Sequence, residues 1–207
     1  MINLRTKSLF KFGKIYIPVD LFGYANMGLP GVEIIGLGKH SRAMKEKFLY
    51  LSSELGLNLP KRRYVICTDG ELEGKKFTQE EYRFLELPIY LMLWSLAGLL
   101  PFHRMDDCFS SGKVSVSGEV ESLEMSATFQ NELDDFLMLD RNELKIIAPD
   151  DTEVIEEYYH LSLNGLLKSL TEHQHKHTDQ KIMPFIKGHD IGESLIKQSS
   201  LKVMGRH

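Results

Sequence analysis

Apolar residues recur along this chain with two periods, and the periods alternate. Residues 14–21, Lys-Ile-Tyr-Ile-Pro-Val-Asp-Leu, predict a strand, and Pro18, with no N–H for a ladder, places it at an edge or a bulge. Residues 32–37 predict a second strand. Over 39–55 the period lengthens: Met44, Phe48, Leu51 and Leu55 fall four and three apart, with Lys and Glu left outside. That is an amphipathic helix, and Gly56 ends it. Residues 62–67 return to a strand, and the polar, glycine-bearing stretch 68–81 predicts a loop. Residues 87–100 are apolar nearly all round, a buried helix with Pro88 tolerated in its first turn.

Residues 112–120 alternate Val114 and Val116 with serines, which predicts a half-exposed strand. Phe129, Leu133, Phe136 and Leu137 predict a helix over 128–139. A strand over 144–148 is closed by Pro149, a short strand follows at 158–161, and Ser162 caps a helix over 163–170. Strands alternating with helices point to an α/β domain with crossover connections, spanning 1–172. Residues 173–183 form a histidine-bearing linker, and 184–207 carry one more helical pattern. No internal repeat is visible.

Composition narrows the function. A formal net charge of −4 and a pI near 6.1 give no general electrostatic grip on nucleic acid or anionic membrane. DNA contact therefore requires a local patch, and the candidates are Lys61, Arg62 and Arg63, and Lys75 and Lys76 with Arg83. Cys67 and Cys108 lie far apart with no C-x-x-C spacing, which suits a reducing cytosol. The first seven residues hold no apolar signal core. The longest apolar stretch, 85–100, is interrupted by Glu86, Pro88 and Ser95, too short and broken to span a bilayer. A soluble, cytoplasmic protein with no membrane partner is the expectation.

Several segments, in order, carry a resemblance. Gly28-Leu29-Pro30-Gly31-Val32-Glu33-Ile34-Ile35-Gly36-Leu37 resembles the Gly-Leu-Pro-Gly-x-x-Ile-x-Gly-Leu motif that opens the N-terminal domain of the ComM/YifB family. Leu59-Pro60 with Arg63-Tyr64-Val65 is similar to the family's Pro-x-x-Arg-Ile-x-Val strand. Leu85-Glu86-Leu87-Pro88-Ile89 resembles its Phe-Asp-Leu-Pro-Ile segment, and Ser117-Gly118-Glu119-Val120 its Asp-Gly-Glu-Val. Residues 185–189, Phe-Ile-Lys-Gly-His, resemble the approach to the family's AAA+ module, with the chain ending before the phosphate-binding loop. Two departures stand out: 68–82 is longer than the family's loop, and Glu86 replaces Asp.

That family comprises bacterial magnesium-chelatase-like ATPases. The resemblance implies a fold of the ribosomal protein S5 domain 2 and Lon proteolytic-domain type, with a mixed sheet and helices. It also implies intact relatives that are hexameric, use ATP and Mg2+, and drive DNA branch migration in transformation and recombination.

The residues then test each chemistry. A phosphate loop needs G-x-x-x-x-G-K-[ST]; Gly31 and Gly36 have the spacing, but Leu37 stands where the Lys belongs. A Lon-like Ser/Lys dyad, carried over by the resemblance, would put Ser near Phe84 and Lys near Ala127. Residues 83–85 hold no hydroxyl, and no Lys lies between Lys113 and Lys145. Cys108 has His103, Asp106 and Asp107 close in sequence, which alone makes no constellation. His173, His175 and His177 offer a metal tract, but without Cys or a carboxylate pair the reading is a solvated linker. No catalytic, cofactor or metal residue is expected in this chain. The expectation is a non-catalytic domain acting as an assembly or DNA-guiding module. Alternatives from other classes are a diverged Lon-like peptidase, a thiol hydrolase and a functionless remnant.

Overall fold

The chain opens with a long β-hairpin. In a computed structural model, which describes residues 2–69, 78–131, 133–138, 144–154, 156, 158–164 and 166, β1 (Ile2–Phe12) runs antiparallel to β2 (Ile15–Asn26). All the described residues belong to a unit covering Met1–Leu170. The linker expected at 173–183, its histidines, the segment 184–207 and the basic pair Lys75 and Lys76 lie outside the described residues.

β3 (Gly31–Ile35), α1 (His40–Glu54) and β4 (Arg63–Thr68) follow. Then come a short α2 (Gln79–Tyr82), a 3-10 turn (Arg83–Leu85) and α3 (Glu86–Leu96). The remaining elements are β5 (Cys108–Phe109), β6 (Gly112–Val114), β7 (Val120–Ser122), α4 (Ala127–Gln130), α5 (Leu133–Leu137), β8 (Lys145–Ala148) and β9 (Tyr159–Ser162). Seven strands form one sheet in the order β3-β4-β2-β1-β5-β8-β9, and β6 pairs β7 in a separate hairpin. β1–β2 and β2–β4 are antiparallel; β3–β4, β1–β5, β5–β8 and β8–β9 are parallel. The architecture is mixed α/β.

Pro18 lies in a locally open part of β2. β4 pairs only Leu21–Asn26, so β1 alone flanks the strand at Pro18. β2 alternates cleanly: Ile17, Val19, Leu21 and Ala25 are buried, whereas Phe22 stays 42% exposed. The buried face receives α3, all eleven of whose residues are buried. α1 covers the same side through Met44, Phe48 and Leu51, as its spacing predicts. Phe48, Tyr90 and Trp94 meet there with ring centroids 5.5–6.3 Å apart. The Tyr90 hydroxyl donates to Met44 O at 3.1 Å and Trp94 Nε1 donates to Ser52 Oγ at 3.1 Å. The polar ends of both rings are thus satisfied without reaching water.

Several expected boundaries shift. α3 ends at Leu96 rather than near residue 100, because Gly98 takes φ +75° and its N–H bonds Ser95 O, while Leu99 N bonds Trp94 O. That paired closure satisfies the carbonyls of Trp94 and Ser95 at the helix end. The predicted loop 68–81 contains α2, started by a reciprocal box: Glu81 N bonds Thr78 Oγ1 at 3.4 Å and Thr78 N bonds a Glu81 carboxylate oxygen at 2.6 Å. Thr-x-x-Glu is legible as that box in sequence. The predicted strand 112–120 is two strands joined by a turn at Gly118, which leaves Val116 67% exposed. The predicted helix 128–139 is two short helices, α4 and α5, with Leu133 and Leu137 buried as expected.

One carboxylate joins most of these parts. Glu86, 3% exposed at the start of α3, accepts from Lys47 Nζ of α1 at 2.6 Å and from Arg83 Nε at 3.4 Å. Its other oxygen accepts from Val114 N of β6 at 2.8 Å. Lys47 also donates to Val114 O at 2.7 Å. Removing one partner of a buried pair leaves the other charge without compensation, at a cost of about 3–5 kcal/mol. Glu86→Ala is therefore expected to reduce the free energy of unfolding by about that much, read from a lower denaturant midpoint at unchanged slope, with Lys47→Met costing less because Arg83 and Val114 still hold Glu86. An unchanged midpoint for Glu86→Ala would refute this role.

Candidate functional site

The Gly28–Leu37 motif forms the approach to β3, β3 itself and the joint to α1. Gly28 and Gly31 keep ordinary backbone angles, and Met27 and Leu29 are almost fully exposed at the tip before the strand. The tight constraint is at Gly36, where φ is +98° and a Cβ would stand 1.9 Å from Thr68 Oγ1 of β4. Only glycine fits such a position. The next residue, Leu37, is 1% exposed and belongs to the main core. A residue packed in the core cannot reach a phosphate, so this strand-to-helix joint binds sheet to helix and lacks the side chain that a nucleotide loop needs.

The basic residues proposed for DNA contact fall into separate surroundings. Arg63, at the start of β4, donates two hydrogen bonds to Glu33, at 3.0 and 2.8 Å. That pairing raises the Arg63 pKa and holds the Glu33 carboxyl below its usual range. Arg83 faces the other way, into Glu86 and Glu80. Lys61 is exposed and Arg62 half-buried in the turn before β4, and neither forms an ion pair among the described residues.

Leu87 and Pro88 are buried in the first turn of α3, and Gly118 and Glu119 make the β6–β7 turn. The clasp on Glu86 brings α3 and β6 together, although nothing in their spacing predicts it.

Phe84 gathers a hydroxyl and an amine that position matching alone does not find. Ser111 Oγ lies 3.4 Å from Phe84 O and also bonds Leu9 O, while Lys113 Nζ sits 4.7 Å from the Phe84 ring centroid. Lys113 is ion-paired with Glu121 at 2.9 Å and Glu80 at 3.7 Å. A Ser/Lys dyad needs the amine within hydrogen-bond reach of the hydroxyl, and among the described residues Lys113 Nζ is directed to the two carboxylates and makes no hydrogen bond with Ser111 Oγ. Ser111 spends its proton on backbone carbonyls. Their proximity therefore does not make a working dyad.

Cys108 is 1% exposed in β5. Burial, reinforced by the neighbouring Asp107 carboxylate, pushes its thiol up to about 12. Asp107 is itself held below the usual carboxylate range: burial opposes ionisation, but the hydrogen bond and charge of Lys145 outweigh it. His103 is exposed on the preceding loop. A nucleophilic cysteine needs the thiolate, which this setting suppresses. Among the described residues no group of three or more His, Cys, Asp or Glu side chains could hold a metal ion, and no helix is long and apolar enough to cross a membrane.

The remaining accessible chemistry lies on the face of the sheet opposite α1 and α3. α4 and α5 cover that face near Leu9, Phe109 and Ile146. Toward β3 it carries Arg5, Lys7, Asp20, Phe22, Tyr24, Cys67 and Ile35, several of them exposed. A hollow of about 720 Å3 there is lined by Arg5, Lys7, Asp20, Phe22, Asp69 and Asp106.

In the native protein at pH 8, iodoacetamide is expected to leave Cys108 unmodified and to modify it only after unfolding, read by peptide mass analysis. Rapid native alkylation would restore it as a nucleophile. No protein-family model matches the chain, and no curated protein matches it.

Proposed function

We propose that this chain is a non-catalytic domain of the ribosomal-S5-domain-2 and Lon-proteolytic type. In this reading it corresponds to the N-terminal domain of a ComM/YifB-like, magnesium-chelatase-type ATPase, and it serves as an assembly or DNA-guiding module. The observation that carries the reading is the joint at Gly36 and Leu37. The residues of the resemblance lock a strand to a helix, and Leu37 is core where a phosphate-binding Lys would have to be exposed.

Three further features support it. The three strands, helix and strand of β1–β4 lead to a buried helix that Leu87-Pro88 opens, in the order of the resembling segments. The acidic residue in front of that Leu-Pro is the buried carboxylate that organises the core. Neither the Phe84 neighbourhood nor Cys108 is set up for hydrolysis. ATP and Mg2+ would then be the concern of an ATPase module, with self-association and DNA contact left to this domain.

Sedimentation velocity of the full chain, alone and with a forked DNA, tests this. The expected result is a concentration-dependent larger species or co-sedimentation with the fork, together with ATP turnover no higher than that of the denatured chain. A single monomer boundary under both conditions, or genuine ATP turnover, would overturn the proposal.

A further inference from the structure

The open face of β3-β4-β2-β1 presents two aromatic rings on one strand. Phe22 and Tyr24 alternate with buried positions of β2, so both project to the same side. They stand about 7 Å apart along the strand. Phe22 lies across from Arg5 on β1 and Cys67 on β4; Tyr24 lies across from Asn3 and Val65. Phe22 is 42% exposed, Arg5 and Asn3 are exposed, and Ile35 extends the apolar surface onto β3. Arg63, whose pKa is raised mainly by Glu33, lies near enough to Tyr24 to receive a small further contribution from it.

The charges on this face sort into two ends. Asp20, Asp69 and Asp106 gather around the hollow, where Lys7 is paired with Asp20 at 2.9 Å. At the other end Glu33 is neutralised by Arg63. Arg5 and Phe22 line the hollow together with these aspartates; Arg5 forms no ion pair among the described residues, and it lies directly across from Phe22. An exposed Phe22 and a half-buried Tyr24 on one strand, beside a guanidinium, suit a planar group attached to an anion. Duplex DNA offers no exposed ring face, whereas unpaired bases do.

The geometry points to this face as a binding platform for single-stranded DNA, with bases stacked on Phe22 and Tyr24 and a phosphate held by Arg5. The inference rests on the DNA-guiding part of the proposed function and gives that part a site. It differs from the basic clusters around Lys61 and Arg83, because stacking rather than charge supplies most of the affinity. With one or two phosphates neutralised, the logarithm of affinity falls with the logarithm of salt with a slope of only about −1.

Fluorescence anisotropy of a labelled oligothymidylate, titrated with the full chain over a range of salt, tests it. The wild-type chain should bind with that shallow slope and prefer the single strand to a blunt duplex. Phe22→Ala and Tyr24→Ala should each weaken binding by at least about fivefold, since stacking on one ring carries that much. Phe22→Trp should retain or tighten binding, and thermal melts check that each variant stays folded. Arg5→Gln should flatten the salt slope further.

If DNA is bound but the Phe22 and Tyr24 variants bind as wild type, the platform is overturned while the DNA-guiding reading stands. Equal affinity for the blunt duplex overturns the platform in the same way. If no form of DNA is bound at low salt, both the platform and the DNA part of the proposed function fall.

Discussion

The structure depends on one buried carboxylate. Glu86 lies where four parts of the chain meet: α1 through Lys47, the turn before α3 through Arg83, α3 itself, and the β6–β7 hairpin through the peptide of Val114. Lys47 donates to the carbonyl of the same residue, so the hairpin is held by both the N–H and the C=O of Val114. A buried ion pair is a poor source of net stability compared with apolar packing. Its value here is positional. Apolar contact alone would let α3 slide along the sheet, whereas hydrogen bonds to a carboxylate fix one register.

That register determines which surface remains for function. With α3 wholly buried and α1 beside it, one face of the sheet is fully committed. On the other face α4 and α5 cover the β1, β5 and β8 region around Leu9, Phe109 and Ile146. Among the described residues the β3-β4-β2 side of that face is left to Phe22, Tyr24, Cys67 and Ile35. Alternation along β2 sends its two sets of side chains to opposite faces, and α1 and α3 cover only one of them. The strand that supplies Ile17, Val19 and Leu21 to the core must therefore present Phe22 and Tyr24 outward.

Legibility in the sequence followed the chemistry of each element. α1 was legible because Met44, Phe48 and Leu51 repeat at helical spacing against a charged background, and the buried character of α3 because it has almost no polar side. β1 was not legible, since its core-facing positions include Thr6 and Ser8. Those hydroxyls are buried by donating to Cys108 O and Ser110 O across to the next strand, so burial leaves no apolar alternation to read. β5, two residues long, carries too little pattern. The split into α4 and α5 was hidden because Phe129 and Leu133 keep a helical period across the break. At the candidate site, Phe22 falls just past the strand expected over 14–21 and carries no expectation of its own. Its outward direction depends on which face α3 covers, a tertiary fact. The salt bridge that neutralises Arg63 was equally hidden, because Glu33 and Arg63 meet through strand pairing and not through spacing.

Part of the resemblance in sequence lies where the chain has little structural freedom. Gly36 has no alternative beside Thr68, Leu37 has no route to the surface, and Pro88 is buried in the first turn of a helix that tolerates it. These are requirements of a joint between sheet and helix, and they hold whether or not the scaffold performs catalysis. A motif made of such residues identifies an architecture and says little about chemistry. Function must then be sought where the scaffold leaves choice. Here the surviving choices are exposed positions such as Arg5, Phe22 and Ile35, which the core does not need.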